Sequence, residues 1–441
     1  MKKNGFLGFI SNTFDKTTAG VNLRMHLKNN LKFVQYIDFT EVQIFDGATT
    51  YPIILIAQKE YSENNSFNYI KIPKGTSTAV IDIDFHQPIL VAQHSLSNDN
   101  WTFKSKESNS LFNKIIRNKS IRDQFGKCFY GIKTGLNEAF IISQEERRLI
   151  LNDSPLDEEI IKPFYEGKDL LKWSALDIEK YILFTKRGIN IDKYPGVKNW
   201  LYKYKGRLEP KNNIGQLEGR KPGPYKWYEI QDSVDYFKLF EANKITWANL
   251  QSANKFCFDD KGYYINAPCV IFPTNNKAIL AILNSKIVWY YLTSICVVRN
   301  GGYIEVKPQY FEQIPIPEIN EENQAQLSIK AEIMIGFNND IQDIIQKFQR
   351  TIQRKFVIEE LPSKLQNWHQ LTYADFIKEL GKKKIKLSLA EEAEWEDYFN
   401  QERKKALDLK AMIEATDKEI DQMVYALYGL TEEEIRVVEG G

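Results

Sequence analysis

Residues 126–140 bring three glycines, two lysines and three aromatic residues into a single stretch of fifteen positions. Glycine permits sharp turns and a close backbone approach to a ligand, whereas lysine side chains and backbone amides are groups that contact phosphate. The pattern predicts a tight basic loop that leads into a strand over 139–142. Taken by itself, the stretch is explained more simply as a glycine-rich turn with solvated lysines, so its meaning depends on the rest of the chain.

The length of 441 residues predicts two or three domains. A hydrophobic share of 43% and the absence of an apolar run of about 18 residues predict a soluble globular protein. The N-terminus shows no small-residue cleavage site, which argues against a signal peptide. The four cysteines form no C-x-x-C pair and the four histidines are scattered, so we expect no metal site, no disulfide and a cytoplasmic location.

The net charge of +1 hides two regions of opposite sign. Residues 168–226 contain 14 Lys and Arg against 6 Asp and Glu, an excess of eight positive charges. Residues 389–441 contain 6 Lys and Arg against 15 Asp and Glu, an excess of nine negative charges. Aromatic residues alternate with the basic ones in the middle region, a pattern typical of nucleic-acid-binding proteins, although it is weak evidence when it stands alone.

Periodicity divides the chain into four parts. Residues 1–91 follow the order strand, helix, strand, turn, strand, which predicts an α/β fragment that resembles the last part of a larger domain. Residues 92–125 are predicted to be a connector. Residues 126–318 combine short apolar runs with long loops and predict an α+β domain, and residues 319–441 carry the helical spacing of a C-terminal tail.

Known catalytic motifs are absent from the sequence. There is no G-x-x-x-x-G-K-[ST] loop, no G-x-G-x-x-G after a strand, no H-E-x-x-H and no G-x-S-x-G. The carboxylates form no clear pair with nuclease spacing. Residue chemistry alone therefore leads no further than nucleic-acid binding.

Four groups of segments, taken in chain order, carry a family resemblance. They are 5–10 with 22–24 and 45–55, then 131–140 with 161–170, then 283–291 with 301–308 and 314–317, and finally 416–430. Together they resemble the C-terminal portion of TaqI-like adenine-N6 DNA methyltransferases, including type IIG restriction–modification enzymes. The resemblance implies the end of a Rossmann-like methyltransferase sheet, then a target-recognition domain and a helical tail.

The resemblance also implies what this sequence lacks. The family binds S-adenosylmethionine through a glycine-rich turn and holds the target adenine against an Asn/Asp-Pro-Pro-Tyr/Phe loop, and neither motif occurs here. S-adenosylmethionine is therefore expected in the complete enzyme but not on this chain, which should be inactive alone. Phe45 matches the position of an aromatic residue that stacks on the flipped base, and an ordinary core phenylalanine explains it equally well.

Candidate DNA contacts come from the basic middle and from the stretch that leads into it. Lysines and arginines are expected on phosphates, Asn137 on adenine, and Arg220 or Arg299 on guanine. A solvated charged face is the alternative explanation for the whole set. The candidates are Lys127, Lys133, Thr134, Asn137, Lys168, Arg207, Lys211, Arg220, Lys221 and Arg299.

The sequence thus predicts sequence-specific recognition of double-stranded DNA as the C-terminal part of an adenine-N6 DNA methyltransferase or type II restriction–modification enzyme. This prediction requires an upstream methyltransferase or nuclease–methyltransferase polypeptide as partner. The alternative is a stand-alone, non-catalytic DNA-specificity subunit that serves other restriction–modification subunits.

Overall fold

The computed structural model describes residues 2–440 except 13, 16, 46–49, 51, 61–63, 74–75, 77–82, 84–85, 97–100, 102, 104–105, 213–216 and 300–301. The described residues form sheets of five, four, three and four strands, followed by a long helical region. This mixed α/β architecture with a helical C-terminus is the one that the sequence predicted at this coarse level.

The N-terminal region is a five-stranded sheet with one helix. Its elements are β1 (Phe6–Ser11), α1 (Val21–Asn30), β2 (Lys32–Asp38), β3 (Ile53–Gln58), β4 (Ser66–Lys71) and β5 (Ile89–Ala92). The strand order is β1-β3-β2-β4-β5, and β3 runs antiparallel to both β1 and β2. Consequently β1, α1 and β2 form a parallel β–α–β unit with β3 inserted between its strands. The predicted order of strand, helix, strand and strand is confirmed, whereas the turn predicted over 45–50 lies mostly outside the described residues.

The sheet is held by an aromatic core on one side and left open at one edge. Phe33 contacts Phe67 and Trp101 with ring centroids 5.5 and 5.3 Å apart. Among the described strands β1 pairs only with β3, and Phe6 and Ile10 are 65% and 60% exposed. An exposed apolar edge strand is a ready site for pairing with another strand.

Two helices and a compact α+β region follow. They comprise α2 (Lys106–Ile115), α3 (Ile121–Phe125), β6 (Phe129–Tyr130), α4 (Asn137–Phe140), β7 (Ile141–Ser143), α5 (Gln144–Asp153), β8 (Ile161–Tyr165), β9 (Lys180–Leu183), α6 (Pro195–Tyr202), α7 (Lys205–Leu208), α8 (Lys238–Glu241), β10 (Lys244–Trp247), β11 (Leu250–Gln251), β12 (Cys257–Asp259), β13 (Tyr264–Ile265), β14 (Val270–Pro273), α9 (Lys277–Leu283), α10 (Lys286–Ile295), β15 (Val298–Arg299), β16 (Tyr303–Glu305) and α11 (Pro308–Phe311). Its sheets have the orders β12-β10-β14-β6, β11-β16-β15 and β13-β8-β9-β7.

Two predicted elements of this region were wrong in detail. The strand expected over 139–142 begins only at Ile141, because residues 137–140 form one helical turn. The apolar run 278–292, whose composition predicts one buried helix, is broken into α9 and α10, which meet at 62°. Asn284 lies at the break, where its side chain exchanges two hydrogen bonds with the backbone of Phe256.

Among the described residues, no single helix is long and apolar enough to cross a bilayer, and only the bent pair of α9 and α10 passes on combined length and composition. All six apolar residues of α9 are buried in the protein core.

The C-terminal region contains α12 (Glu321–Phe356), α13 (Ser363–Gln366), α14 (Tyr373–Lys382), α15 (Leu389–Leu427) and α16 (Glu432–Glu439). Helices α12 and α15 pack together as a long hairpin. At its base, Leu327 and Val424 join the same hydrophobic core as Trp247, and Leu111 of the predicted connector joins it too. The helical tail is therefore built into the core of the preceding α+β region. Helix α16 begins with a capping box formed by Thr431 and Glu434.

Candidate DNA interface

The glycine-rich stretch is fixed by backbone pairing with residues 265–269. Gly131 donates to the carbonyl of Cys269 at 2.8 Å, and Ile132 donates to the carbonyl of Ile265 at 2.7 Å. A Cβ at Gly131 would lie 2.5 Å from the backbone of Asn266, so this position excludes a side chain. Gly135 has a φ of +81°, in the left-handed region that favours glycine. These two glycines thus have structural reasons for their identity.

Arg220 lies at the centre of the loops that surround this stretch. Its guanidinium donates to five backbone carbonyls, at 2.7 Å to Thr134, 2.8 Å to both Leu208 and Glu229, 3.0 Å to Trp227 and 3.2 Å to Lys226. The guanidinium carbon also lies 4.4 Å from the ring centre of Tyr225. Burial lowers the pKa of Arg220 to about 10, so the side chain is charged at neutral pH.

The sequence-based assignment of Arg220 to DNA contact needs correction. The residue is 3% exposed, and its donors are used to join three separate backbone segments. A guanidinium in this state cannot reach a phosphate or a base edge. The assignment of Thr134 to DNA contact is corrected for the same reason. Thr134 is 1% exposed, its hydroxyl donates to Asn137 at 2.6 Å, and the same hydroxyl accepts the backbone N–H of Leu136.

Exposed polar groups surround Arg220. Lys133 and Asn137 flank the buried Thr134 on the surface. Lys221 is exposed beside Arg220, and half-buried Lys211 is fixed by a backbone hydrogen bond to the Arg220 carbonyl at 3.0 Å. Arg207 pairs with Glu138 at 2.8 Å, with both side chains about half exposed. We call Lys133, Asn137, Arg207, Lys211 and Lys221 the Arg220 rim.

Aromatic residues that sequence reasoning did not single out lie in the same region. Tyr202 is 62% exposed and meets Trp227 edge-on, with ring centroids 5.9 Å apart. The ammonium of Lys205 lies 5.6 Å from the ring of Tyr202 and 5.7 Å from that of Trp227. The alternation of aromatic and basic residues in the sequence was the available signal. It could not reveal which pairs meet, because these residues are up to 25 positions apart.

The remaining candidates lie apart from the rim. Arg299, in β15, pairs with Glu305 at 3.0 Å, and Lys307 pairs with the same carboxylate at 2.6 Å. Burial works against ionisation of Glu305, but these two cations hold its pKa below the usual range. Lys127 is exposed just before β6, and Lys168 is exposed after β8, 3.3 Å from Glu166.

A cleft separates the N-terminal sheet from the α+β region. It encloses about 350 Å³ and is lined on one side by Asp38, Glu41 and Trp101 and on the other by Tyr290 and Gly302. Phe45 follows the strand that supplies Asp38, and it is 44% exposed. This exposure argues against the alternative explanation of Phe45 as an ordinary core residue.

The strand-to-helix turn between β1 and α1 does not fit the glycine-rich cofactor turn of the family. A Cβ at Gly20 would clash with the carbonyl of Phe14 at 2.0 Å. The guanidinium of the buried Arg24 fills the same turn and donates to the carbonyls of Phe14 and Thr17. These residues close the turn by contacts within the chain, so we assign no S-adenosylmethionine ligand to them.

Comparison with known proteins identifies the α+β region. Residues 162–316 match the family described as the TaqI-like C-terminal specificity domain. Over these residues the chain is similar to TaqI-like specificity domains. Residues 320–424, which cover the helical hairpin, match a domain of unknown function, DUF8810. The predicted relationship to TaqI-like type II enzymes is thereby confirmed.

Curated relatives extend the similarity over most of the chain. The Type II methyltransferase M.BstVI of Geobacillus stearothermophilus is 21% identical over 344 residues, which cover 72% of this chain and 59% of the relative. The Type II restriction enzyme and methyltransferase RM.Eco57I of Escherichia coli is 23% identical over 366 residues, which cover 75% of this chain and 36% of the relative. The chain thus spans about three-fifths or less of these two proteins.

A solved structure shares the fold. The Type IIL restriction–modification enzyme MmeI, determined in complex with DNA, superimposes with a TM-score of 0.56 at 13% identity. The likeness covers 99% of this chain and 49% of that one. The arrangement of the specificity domain and its flanking regions therefore resembles that of a restriction–modification enzyme.

Proposed function

We propose that this chain supplies sequence-specific recognition of double-stranded DNA as the C-terminal part of an adenine-N6 DNA methyltransferase or type II restriction–modification enzyme. The observation that carries the proposal is the match of residues 162–316 to a specificity domain. The Arg220 rim supports it, because a buried arginine there organises loops that present exposed polar groups.

Phosphate contacts would set the position of the domain on the duplex, and base contacts would select the sequence. Asn137 is suited to base contact, since an amide can accept and donate at an adenine edge. Arg299 would address guanine, and its ion pair with Glu305 would hold the guanidinium in a defined orientation. The surface cations suited to phosphate contact are Lys127, Lys133, Lys168, Arg207, Lys211 and Lys221.

The N-terminal sheet would complete the methyltransferase domain. Its β–α–β unit with an inserted antiparallel strand supports the proposal that it is the end of a Rossmann-like sheet. In the complete enzyme, S-adenosylmethionine would supply the methyl group from a site on another part of the protein. Exposed Phe45 would stack on the flipped adenine, which recovers about 1–3 kcal/mol of lost stacking.

An upstream methyltransferase or nuclease–methyltransferase polypeptide is the partner that this proposal requires. The edge of β1 supports it, because Phe6 and Ile10 expose apolar surface along a strand edge that pairs with no other described strand. Strand addition at such an edge satisfies the backbone and covers the side chains together.

Co-expression tests the proposal. This chain would be expressed with a polypeptide that carries the glycine-rich motif and the Asn-Pro-Pro-Tyr loop, and N6-methyladenine would be mapped across the host DNA. We expect methylation at one defined sequence, and an Asn137→Ala variant should relax or change that sequence. Methylation whose sequence is indifferent to both Asn137→Ala and Arg299→Ala would contradict the assigned roles. A stand-alone specificity subunit would instead bind DNA without supporting methylation in this pairing.

A further inference from the structure

The far end of the hairpin between α12 and α15 is a small structure with its own core. We call residues 347–386 the hairpin tip. Phe348, Trp368 and Phe376 are fully buried there, together with Phe399 of α15. The rings of Phe348 and Trp368 stack with centroids 3.8 Å apart. The tip is therefore a packed unit, separate from the core at the base of the hairpin.

Positive charge is concentrated on this unit. Residues 347–386 contain 10 Lys and Arg against 4 Asp and Glu, whereas residues 389–441 contain 6 against 15. Ion pairs account for three of the ten cations, since Lys364 and Lys382 share Glu379 and Lys355 pairs with Glu391. The others are exposed and make no ion pair within the described part of the chain: Lys347, Arg350, Arg354, Lys378, Lys383, Lys384 and Lys386.

The lysine run after α14 is held in a fixed conformation. Lys383 and Ile385 both donate their backbone N–H groups to the carbonyl of Leu380, at 2.9 and 3.2 Å. Lys384 adopts a left-handed conformation with a φ of +63°. Cations at a helix C-terminus stabilise the helix dipole, which gives Lys382 and Lys383 a structural role. Arg354 lies in the last turn of α12 and has the same role there. The effect fades within one turn, so it does not account for Lys347 and Arg350 on α12.

The tip lies well outside the core that the specificity domain shares with the hairpin. Met334 is the last fully buried residue of α12 in the shared core, and Phe348 is the first fully buried residue of α12 in the tip core. Fourteen helical residues span about 21 Å. That distance corresponds to roughly six base pairs along a duplex, at about 3.4 Å per base pair.

We propose that the hairpin tip binds the phosphodiester backbone of duplex DNA beyond the sequence that the specificity domain reads. The inference rests on the proposed function, because it presumes a duplex held by the specificity domain. Charge complementarity selects the partner: the tip is the cationic end of an otherwise acidic helical region. Residues 389–441 would be repelled by the duplex, so the tip is the part of the hairpin that can approach it.

Two triple variants test the proposal in the full chain. Lys347→Gln/Lys378→Gln/Lys386→Gln removes three exposed tip charges and spares the shared Glu379 pairs, Lys383 at the helix C-terminus and the left-handed Lys384. Lys404→Gln/Lys418→Gln/Arg436→Gln is the matched control, with three exposed cations removed from α15 and α16. Both variants should keep the thermal unfolding midpoint of the parent protein, as followed by circular dichroism. Binding would be measured by fluorescence anisotropy on mixed-sequence duplexes of 12 and 40 base pairs, probe lengths of about 40 and 140 Å.

The expected result is a loss of DNA affinity and of salt dependence that appears only with the tip variant on the long duplex. For the tip variant on the 40-base-pair duplex, the slope of log affinity against log salt should fall by about 2–3, since each phosphate contact contributes about 0.9. The control variant should keep the parent slope, and the short duplex should hardly distinguish the proteins. If both triples bind both duplexes with the parent slopes, the tip proposal fails while the proposed function stands. If the parent protein binds neither duplex, the proposed function itself fails.

Discussion

The Arg220 rim and the hairpin tip are both basic, but their charges are organised in opposite ways. In the rim, one buried arginine joins three backbone segments through its hydrogen bonds, and a few polar groups lie on the surface of these loops. In the tip, seven exposed cations make no ion pair among the described residues, and they lie on the surface of a packed helical unit. A fixed set of polar groups can distinguish bases, whereas a spread of lysines gives affinity that any sequence shares. The first arrangement is suited to specificity and the second to general attachment.

Among the variants that distinguish the rim from the tip, replacement of Arg220 should have the largest effect on stability. Arg220→Met keeps much of the side-chain volume but leaves buried carbonyls of Thr134, Leu208 and Glu229 without donors. We expect a loss of about 3–5 kcal/mol in the free energy of unfolding, as for other broken buried charge networks. Urea unfolding followed by tryptophan fluorescence measures it. The matched change at exposed Lys221, Lys221→Met, should cost less than about 0.5 kcal/mol. Equal losses in the two variants would mean that Arg220 has no organising role.

Asn137 and Lys133 should separate base reading from phosphate contact within the rim. Asn137→Ala should cost about 1–3 kcal/mol of discrimination at one base pair and leave the salt dependence unchanged. Lys133→Gln should weaken binding to all sequences alike and lower the salt slope by about one. Sequencing of duplexes selected from a random pool, with salt titrations beside it, measures both effects. An Asn137→Ala variant with the parent sequence preference would remove this residue from base reading.

Thr134 should contribute to the stability of the rim and should affect DNA binding only indirectly. Its hydroxyl joins Leu136 N–H and Asn137, and it is buried. Thr134→Ala should lower the free energy of unfolding by about 1 kcal/mol, the usual net value of such a hydrogen bond. Thr134→Ser retains the hydroxyl and should lose less. If Ala and Ser have the same effect in denaturant titrations, the hydroxyl contributes nothing to the turn.

A weak pH dependence should distinguish the tip from the rim. Burial, together with nearby Lys410 and Arg403, lowers the pKa of His369 in the folded tip. The unfolded chain, with a His pKa of about 6.5, binds more protons between the two values, so stability should decline as pH falls through about 6.5. Thermal unfolding at pH 7.5 and 5.5 tests this against His369→Gln, whose midpoint should change less. An identical pH response in both proteins would exclude His369 as its source.

Local pattern predicted the outline of the fold because its elements are encoded locally. Periodicity predicted the order of β1, α1, β2 and β3 and the helical C-terminal region that contains α12 and α15. Tertiary contacts decided the exceptions. The break between α9 and α10 depends on Asn284 bonding Phe256, 28 residues away, and no local pattern contains that contact.

The site was predictable in kind but not in the role of each residue. Composition pointed to basic and aromatic residues, and Lys133, Asn137 and Lys221 lie exposed as a DNA contact requires. Arg220 has the same local appearance in the sequence, yet it lies in the interior because five carbonyls converge on it. Exposure is a tertiary property, so a charged residue that binds a ligand and one that holds loops together look alike in sequence.

The most direct test of DNA recognition is a salt titration of binding by the full chain. Fluorescence anisotropy on a mixed-sequence duplex, between about 50 and 200 mM salt, reports the slope of log affinity against log salt. The proposed rim and its neighbours predict a steep slope, with about 0.9 for each phosphate contacted. A flat slope, or no binding at the lowest salt, would contradict the assignment of this chain to DNA recognition.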